Sequence, residues 1–159
     1  MLDKLIQRLR DGNARFRVIH HYAAGTSAEV AKIRGTRPEQ GAKAMLCHLK
    51  EAPERWGLAV LPGHLKIDFR KVGQALGGKK ATLASPDEAT RLTGCVMGAV
   101  PPFSFWPEIT LIVDPKLTAE NAEIAFNAGR LDTSIVLDST DYLRIATPLS
   151  VEITNSDSM

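Results

Sequence analysis

Two short stretches hold the residues that could do chemistry. The first is Gly41-Ala42-Lys43-Ala44-Met45-Leu46-Cys47-His48-Leu49, an apolar run interrupted by one lysine. Its composition predicts a core strand. Side chains of a strand alternate between faces, so Lys43 shares its face with Gly41, Met45, Cys47 and Leu49. An ammonium on an apolar face is costly to bury without a partner. Such a lysine either lines a pocket that attracts an anionic or oxygen-rich ligand, or lets its tip snorkel to water from a strand end. The second stretch is Gly94-Cys95-Val96-Met97-Gly98-Ala99-Val100-Pro101-Pro102-Phe103-Ser104-Phe105. Its glycines and prolines predict a fixed loop with exposed backbone amides, a device that binds a carbonyl or oxyanion without a charged side chain. Read structurally, the same loop is a rigid turn whose Phe103 and Phe105 plug the core. Gly98 suits either close approach of the backbone to a ligand or a positive φ. We expect the former, so that a methyl group at 98 would harm catalysis more than stability.

Other site chemistries lack their residues. Cys47 and Cys95 form no metal spacing and no disulfide framework, and they read as small core residues. His20, His21, His48 and His64 are scattered, and the first two point to opposite faces of an extended segment. No G-x-S-x-G, G-x-G-x-x-G or P-loop occurs. No metal and no cofactor is therefore expected.

The elements that must position these stretches are short. Leu2, Leu5, Ile6 and Leu9 predict an N-terminal helix ending near Gly12, and Phe16–His20 a strand. Thr26 with Glu29 starts a helix that Gly35 closes. Residues 56–61 can pair with the Lys43 strand. Asp68 and Ser85 cap two more helices, over 69–76 and from Pro86 to Gly94. Strands are predicted at 109–113, 123–126, 134–137 and 149–153, with a helix over 139–145. Helices interspersed among strands without strict alternation predict an α+β fold built on a mixed sheet, not a doubly wound one.

The chain of 159 residues fits one domain, and its charged start resembles no secretory signal. With no transmembrane-length apolar run and only two cysteines, a cytoplasmic setting is expected. Residues 1–80 hold 16 of the 20 Lys/Arg and 7 of the 18 Asp/Glu, a balance of +9, leaving −7 for the remainder. A basic half suits a phosphate-rich partner, although the same charges also serve to solvate helix faces.

Taken together, these residues resemble the YbaK-type aminoacyl-tRNA editing family, which includes the editing insertion of bacterial prolyl-tRNA synthetases. The resemblance rests on Ile33-Arg34-Gly35-Thr36, Gln40-Gly41-Ala42-Lys43-Ala44, Ala84-Ser85-Pro86-Asp87-Glu88 and the loop from Leu92 to Phe105. Ile124-Ala125-Phe126-Asn127-Ala128-Gly129 and Asp141–Ala146 complete it, so that it runs from about Phe16 to Pro148. Among subgroups the chain is most similar to the YeaK-type freestanding deacylases. The resemblance implies a mixed, partly barrel-like β-sheet flanked by short helices. It implies hydrolysis, without metal, of the ester joining a wrong amino acid to its tRNA, with a single editing domain over 1–159. It places the signature lysine at Lys43 and the glycine-x-x-x-proline loop at Gly98–Pro102. Asn127 stands near a position where the prolyl-synthetase domains carry histidine.

On that basis Lys43, Gly98 and Pro102 are the candidate catalytic residues. Met45, Ala99, Val100, Pro101, Phe103 and Asn127 are the candidates for substrate binding, with Met45, Phe103 and Asn127 as the specificity wall. Arg34, Arg37 and Lys50 are the candidate tRNA surface. Aminoacyl-tRNA carrying serine, threonine or alanine is the expected substrate, and an aminoacyl-tRNA synthetase a further partner. A non-catalytic tRNA- or synthetase-binding module, and a small-molecule hydrolase or binding protein, are the alternative classes.

Overall fold

The computed structural model describes residues 1–24 and 26–155. Helix α1 (Leu2–Asp11) buries Leu5 and Leu9, the inner positions of its apolar stripe, and stops at Gly12. Strand β1 (Phe16–His20) leads to α2 (Ser27–Arg34), where the Thr26 side chain accepts the Glu29 amide at 3.1 Å. One turn of 3-10 helix at Pro38–Gln40 precedes β2 (Ala42–Leu49), which pairs antiparallel with β3 (Trp56–Pro62).

Helix α3 (Phe69–Ala75), strand β4 (Ala81–Leu83) and helix α4 (Pro86–Thr93) follow. In α4 the capping box is reciprocal: Ser85 accepts the Glu88 amide at 3.1 Å while Glu88 accepts the Ser85 amide at 2.9 Å. Strand β5 (Ile109–Val113), helix α5 (Pro115–Ala119), strands β6 (Glu123–Arg130) and β7 (Thr133–Asp138), helix α6 (Ser139–Ala146) and strand β8 (Leu149–Ser150) complete the order.

Two sheets result, one with the order β4-β2-β3-β5-β8 and one with β1-β7-β6. β3 and β5 run parallel, as do β5 and β8, while the other pairs are antiparallel, so the α+β expectation with a mixed sheet holds. The sheets touch through an isolated parallel bridge from Gly41 to Ala125 and, among the described residues, do not close into a barrel. The larger core fills the space between them, with Leu46, Leu58, Phe103, Phe126, Ile135 and Tyr142 buried together. A smaller core lies on the other face of the five-stranded sheet, around Cys47, Leu49, Ala59, Val72 and Ile112. Among the described residues no helix is long and apolar enough to cross a membrane.

The β6–β7 ladder carries the irregularity that shapes the site. Asn127 faces Ser134 and Arg130 faces Thr133, so Ala128 and Gly129 are extra residues on β6. Gly129 has φ +86°, and its amide leaves the ladder to donate to Ala99 O at 2.8 Å. The bulge thereby grips the Gly98–Pro102 loop.

Candidate active site

A cleft of about 360 Å³ opens where α2, the start of β2, Gly63, the Gly98 loop and the β6 bulge converge. It lies at the seam of the two sheets, beside the Gly41–Ala125 bridge. Ala24, Gly41, Ala42, Ala44, Gly63 and Gly98 give much of its wall one carbon of side chain or none. Among the described residues its charged lining is two cations, Arg34 and Lys43, with no carboxylate and no histidine.

Lys43 projects from the first turn of residues in β2, where the apolar stripe of Met45, Cys47 and Leu49 gives way to the cleft. It is half-buried, and its Nζ donates to Leu65 O at 3.1 Å. Two ammonium N–H groups remain. Burial lowers its pKa below the ordinary lysine value, since the charged form loses hydration.

Gly98 is the third residue of a turn in which Ala99 N donates to Val96 O at 3.0 Å. Its φ of +90° is left-handed, and a Cβ built there would approach only Leu131 Cδ2, at an ordinary 3.7 Å. Positive φ by itself accounts for the glycine. The expectation of a mainly catalytic penalty for alanine is therefore corrected: strain would cost stability as well. The amides of Gly98 and Val100 meet no acceptor among the described residues, and both residues line the cleft.

The remaining candidates divide. Val100, Asn127 and Arg34 line the cleft with Lys43 and Gly98. Ala99, Pro101 and Pro102 are buried behind the loop, where Pro102 O accepts from the Tyr142 hydroxyl at 2.8 Å. Phe103 is 0% exposed, packed among Phe105, Phe126 and Tyr142, and Met45 packs on the smaller core. Met45 and Phe103 therefore do not wall the cleft. Met45 shares the face of Lys43 but lies two residues farther along β2, where that face is covered by the smaller core, and Phe103 packs into the larger core.

Arg34, Arg37 and Lys50 do not make one surface. Arg34 is 8% exposed inside the cleft, Arg37 donates to Asn121 Oδ1 at 3.2 Å, and Lys50 is exposed beyond the other end of β2. A strand rise of about 3.3 Å per residue carries Lys50 roughly 23 Å from Lys43. Cys47 and Cys95 are buried outside the cleft, and burial pushes the Cys47 thiol up to about 12, far from a reactive thiolate. Among the described residues no group of three His, Cys, Asp or Glu is placed to hold a metal ion.

Sequence reasoning missed Thr26, Ser27, Met97 and Leu131 on the cleft wall and a polar chain behind it. Arg34 Nε donates to Ser134 Oγ at 2.7 Å and Nη2 to Asn127 Oδ1 at 2.9 Å, while Asn127 Nδ2 donates to Gly98 O at 2.9 Å. His21 Nε2 lies 2.7 Å from Ser134 Oγ. Burial without a carboxylate partner brings Arg34 down to about 10. The available signal was a serine at the head of the apolar run Ile135–Leu137 of β7, directly across the ladder from Asn127.

The fold and this cleft have counterparts. Residues 21–145 match the aminoacyl-tRNA editing domain, and the chain belongs to that family. It is 47% identical over 146 residues to the multifunctional Ser/Thr-tRNA deacylase ProXp-y of Escherichia coli (strain K12), covering 91% of this chain and 87% of the relative. A proline–tRNA ligase of Geobacillus thermodenitrificans (strain NG80-2) is 30% identical over 94 residues, which are 59% of this chain and 16% of the ligase. Among solved structures, hypothetical protein APE2540 superposes with a TM-score of 0.84 at 20% identity, covering 96% of this chain and 99% of that one. A candidate trans-editing enzyme for prolyl tRNA synthetase superposes with a TM-score of 0.82 at 19% identity, covering 98% and 97%. These structural likenesses establish the shared fold.

Proposed function

We propose that this protein is a trans-editing aminoacyl-tRNA deacylase, one domain over residues 1–159, acting in the cytoplasm. Its substrate is tRNA esterified with a small, wrong amino acid. The observation that carries this reading is one cleft lined together by Lys43 and by two residues, Gly98 and Val100, whose amides meet no acceptor among the described residues. Membership of the editing family, and a 47% identical relative named as a Ser/Thr-tRNA deacylase, support the same reading.

The chemistry follows from what the cleft offers. Lys43, with Arg34 behind it, supplies positive potential for the terminal phosphate of the tRNA. The Gly98 and Val100 amides receive the aminoacyl carbonyl oxygen as it gains charge. Water attacks the carbonyl carbon, the bond from that carbon to the ribose oxygen breaks, and the ribose oxygen takes the proton. Free amino acid and tRNA leave. Among the described residues no carboxylate or imidazole lines the cleft, and a hydroxyl or amine of the substrate itself relays the proton from water. Positioned amides of this kind are worth about 2.7–4 kcal/mol each in comparable sites. Gly and Ala walls leave room for a short side chain and exclude a long one.

The test is a panel of aminoacyl-tRNAs incubated with purified protein. Release of serine, threonine or alanine, and its loss in Lys43→Ala, is expected. Turnover of free amino-acid esters that uncharged tRNA does not inhibit would favour a small-molecule hydrolase. Binding of tRNA without any release would favour a non-catalytic module.

A further inference from the structure

We propose that Arg34 and Asn127 act in series as positioning residues for the Gly98–Pro102 loop, Arg34 orienting Asn127 and Asn127 holding the peptide between the two reactive amides. The proposal deepens the deacylase reading and rests on it for its kinetic arm.

The directions of the hydrogen bonds are fixed by chemistry. An arginine only donates, so the Asn127 atom 2.9 Å from Arg34 Nη2 is the carbonyl Oδ1. A main-chain carbonyl only accepts, so the Asn127 atom 2.9 Å from Gly98 O is the amide Nδ2. The two contacts demand the same orientation of the side-chain amide. Removing the guanidinium removes the demand from one side and frees Asn127 to turn.

Behind Arg34 the chain is continuous. Its Nε donates to Ser134 Oγ at 2.7 Å, and the Ser134 proton has two acceptors in reach, His21 Nε2 at 2.7 Å and Asn127 Oδ1 at 3.4 Å. His21 Nδ1 donates to Tyr22 O at 2.8 Å, the tautomer that leaves Nε2 as acceptor. Ser134 lies across the ladder from Asn127, so one cross-strand pair anchors both arms of the guanidinium.

The loop end of the chain is where function enters. Two consecutive carbonyls are captured by β6: Gly98 O by the Asn127 side chain, and Ala99 O by the Gly129 amide at 2.8 Å. In a trans peptide the carbonyl and the next N–H point in opposite directions. Turning Ala99 O toward the bulge therefore turns the Val100 N–H away from it. Asn127 fixes the adjacent peptide, between Gly98 and Ala99, and so sets the angle between the Gly98 and Val100 donors. A cation buried without a counter-charge is a poor stability device. Its placement is explained by what it orients.

The experiment compares Asn127→Ala, Arg34→Met and the double variant. Deacylation kinetics use Ser-tRNA and Thr-tRNA charged in vitro, and amide NMR spectra are recorded for the free proteins. Each single variant is expected to lower kcat at least tenfold with KM changed less than threefold. The double variant should be no worse than the poorer single, because the residues act through one another. Amide resonances of residues 98–100 should shift in both variants, with the melting temperature of Arg34→Met unchanged or raised. A rise in KM with unchanged kcat would make Asn127 a substrate contact and overturn the proposal. Losses that multiply in the double variant would make the two roles independent and also overturn it. If neither tRNA is hydrolysed by the wild-type protein, the deacylase reading fails while the spectra still decide the positioning. Unmoved 98–100 resonances in Asn127→Ala, which leaves Arg34 in place, would then end it.

Discussion

Asp114 and Arg34 are 0% and 8% exposed, one an anion and the other a cation, and neither forms an ion pair among the described residues. Asp114 is saturated. Its Oδ1 accepts the Lys116 amide at 2.9 Å, and its Oδ2 accepts the Ile153 and Thr154 amides and the Thr154 hydroxyl at 3.0, 3.1 and 2.9 Å. Four donors thus converge on the carboxylate, as many as its roughly four lone-pair sites, three of them sharing Oδ2. Arg34 spends two N–H groups of five, on Ser134 and Asn127, and borders a cleft. The full shell ties the segment after β8 to the cap of α5 and does nothing more. The part-filled shell leaves donors and positive potential beside a space a ligand can enter. Burial alone does not separate a structural charge from a functional one; the unspent donors do.

The largest effect should come from breaking the full shell. Asp114→Asn sets an amide N–H against donors and leaves others unmet. It should cost about 3 kcal/mol of unfolding free energy in denaturant titrations, with the activity of the folded fraction retained. Arg34→Met is the contrasting case and should leave stability nearly unchanged. If both variants destabilised equally, the distinction between the two shells would collapse.

Next comes Lys43→Ala, which removes the half-buried cation at the cleft mouth. We expect roughly 100-fold lower kcat/KM, about 2.7 kcal/mol, with a melting temperature unchanged or slightly raised. Near-wild-type turnover in the folded variant would remove Lys43 from the site. Gly98→Ala is smaller and mixed. The left-handed φ predicts about 1–2 kcal/mol of lost stability, together with roughly tenfold slower single turnover as the amides tilt. A change in stability alone would reduce the loop to a turn.

The smallest effect is in pH dependence. Lys43 titrates below the ordinary lysine value because burial disfavours its charge. Between the folded and unfolded values the unfolded chain binds more protons, so this residue's contribution to stability rises with pH across that window. Activity that needs the ammonium falls in the same window. Enzymatic rates corrected for spontaneous ester hydrolysis, measured also in Arg34→Met to remove the other group lowered to about 10, check the sign. An activity rise with the Lys43 titration would make the neutral amine a base instead.

Local signals were legible wherever one turn of chain decides the outcome. Thr26 with Glu29 and Ser85 with Glu88 mark helix starts that the structure keeps. The 3-10 turn at Pro38–Gln40, β4 and α5 escaped because three to five residues carry too little periodicity to separate them from loops. β6 runs past Phe126 to Arg130 because the bulge absorbs residues that a regular ladder would reject. In the site, Lys43 and the Gly98 loop were legible from residue type. Arg34 was noticed as a charge but assigned to a surface, and His21 and Ser134 were passed over. Their bonds join positions 93 to 113 residues apart, and a lone polar residue in a strand gives no sign of its distant partner.

The donors proposed for the ester oxygen are main-chain amides, and this shapes how the protein can change over time. Every non-proline residue has an N–H, so substitution at Val100 alters the wall without deleting its donor. The reaction and the choice of amino acid are then under separate genetic control. Side chains around the cleft can drift to admit a different acyl group, while the hydrolytic device persists as long as the turn at Gly98 and its anchors on β6 hold. One scaffold can thus be passed among related substrates by changing only what surrounds its two amides.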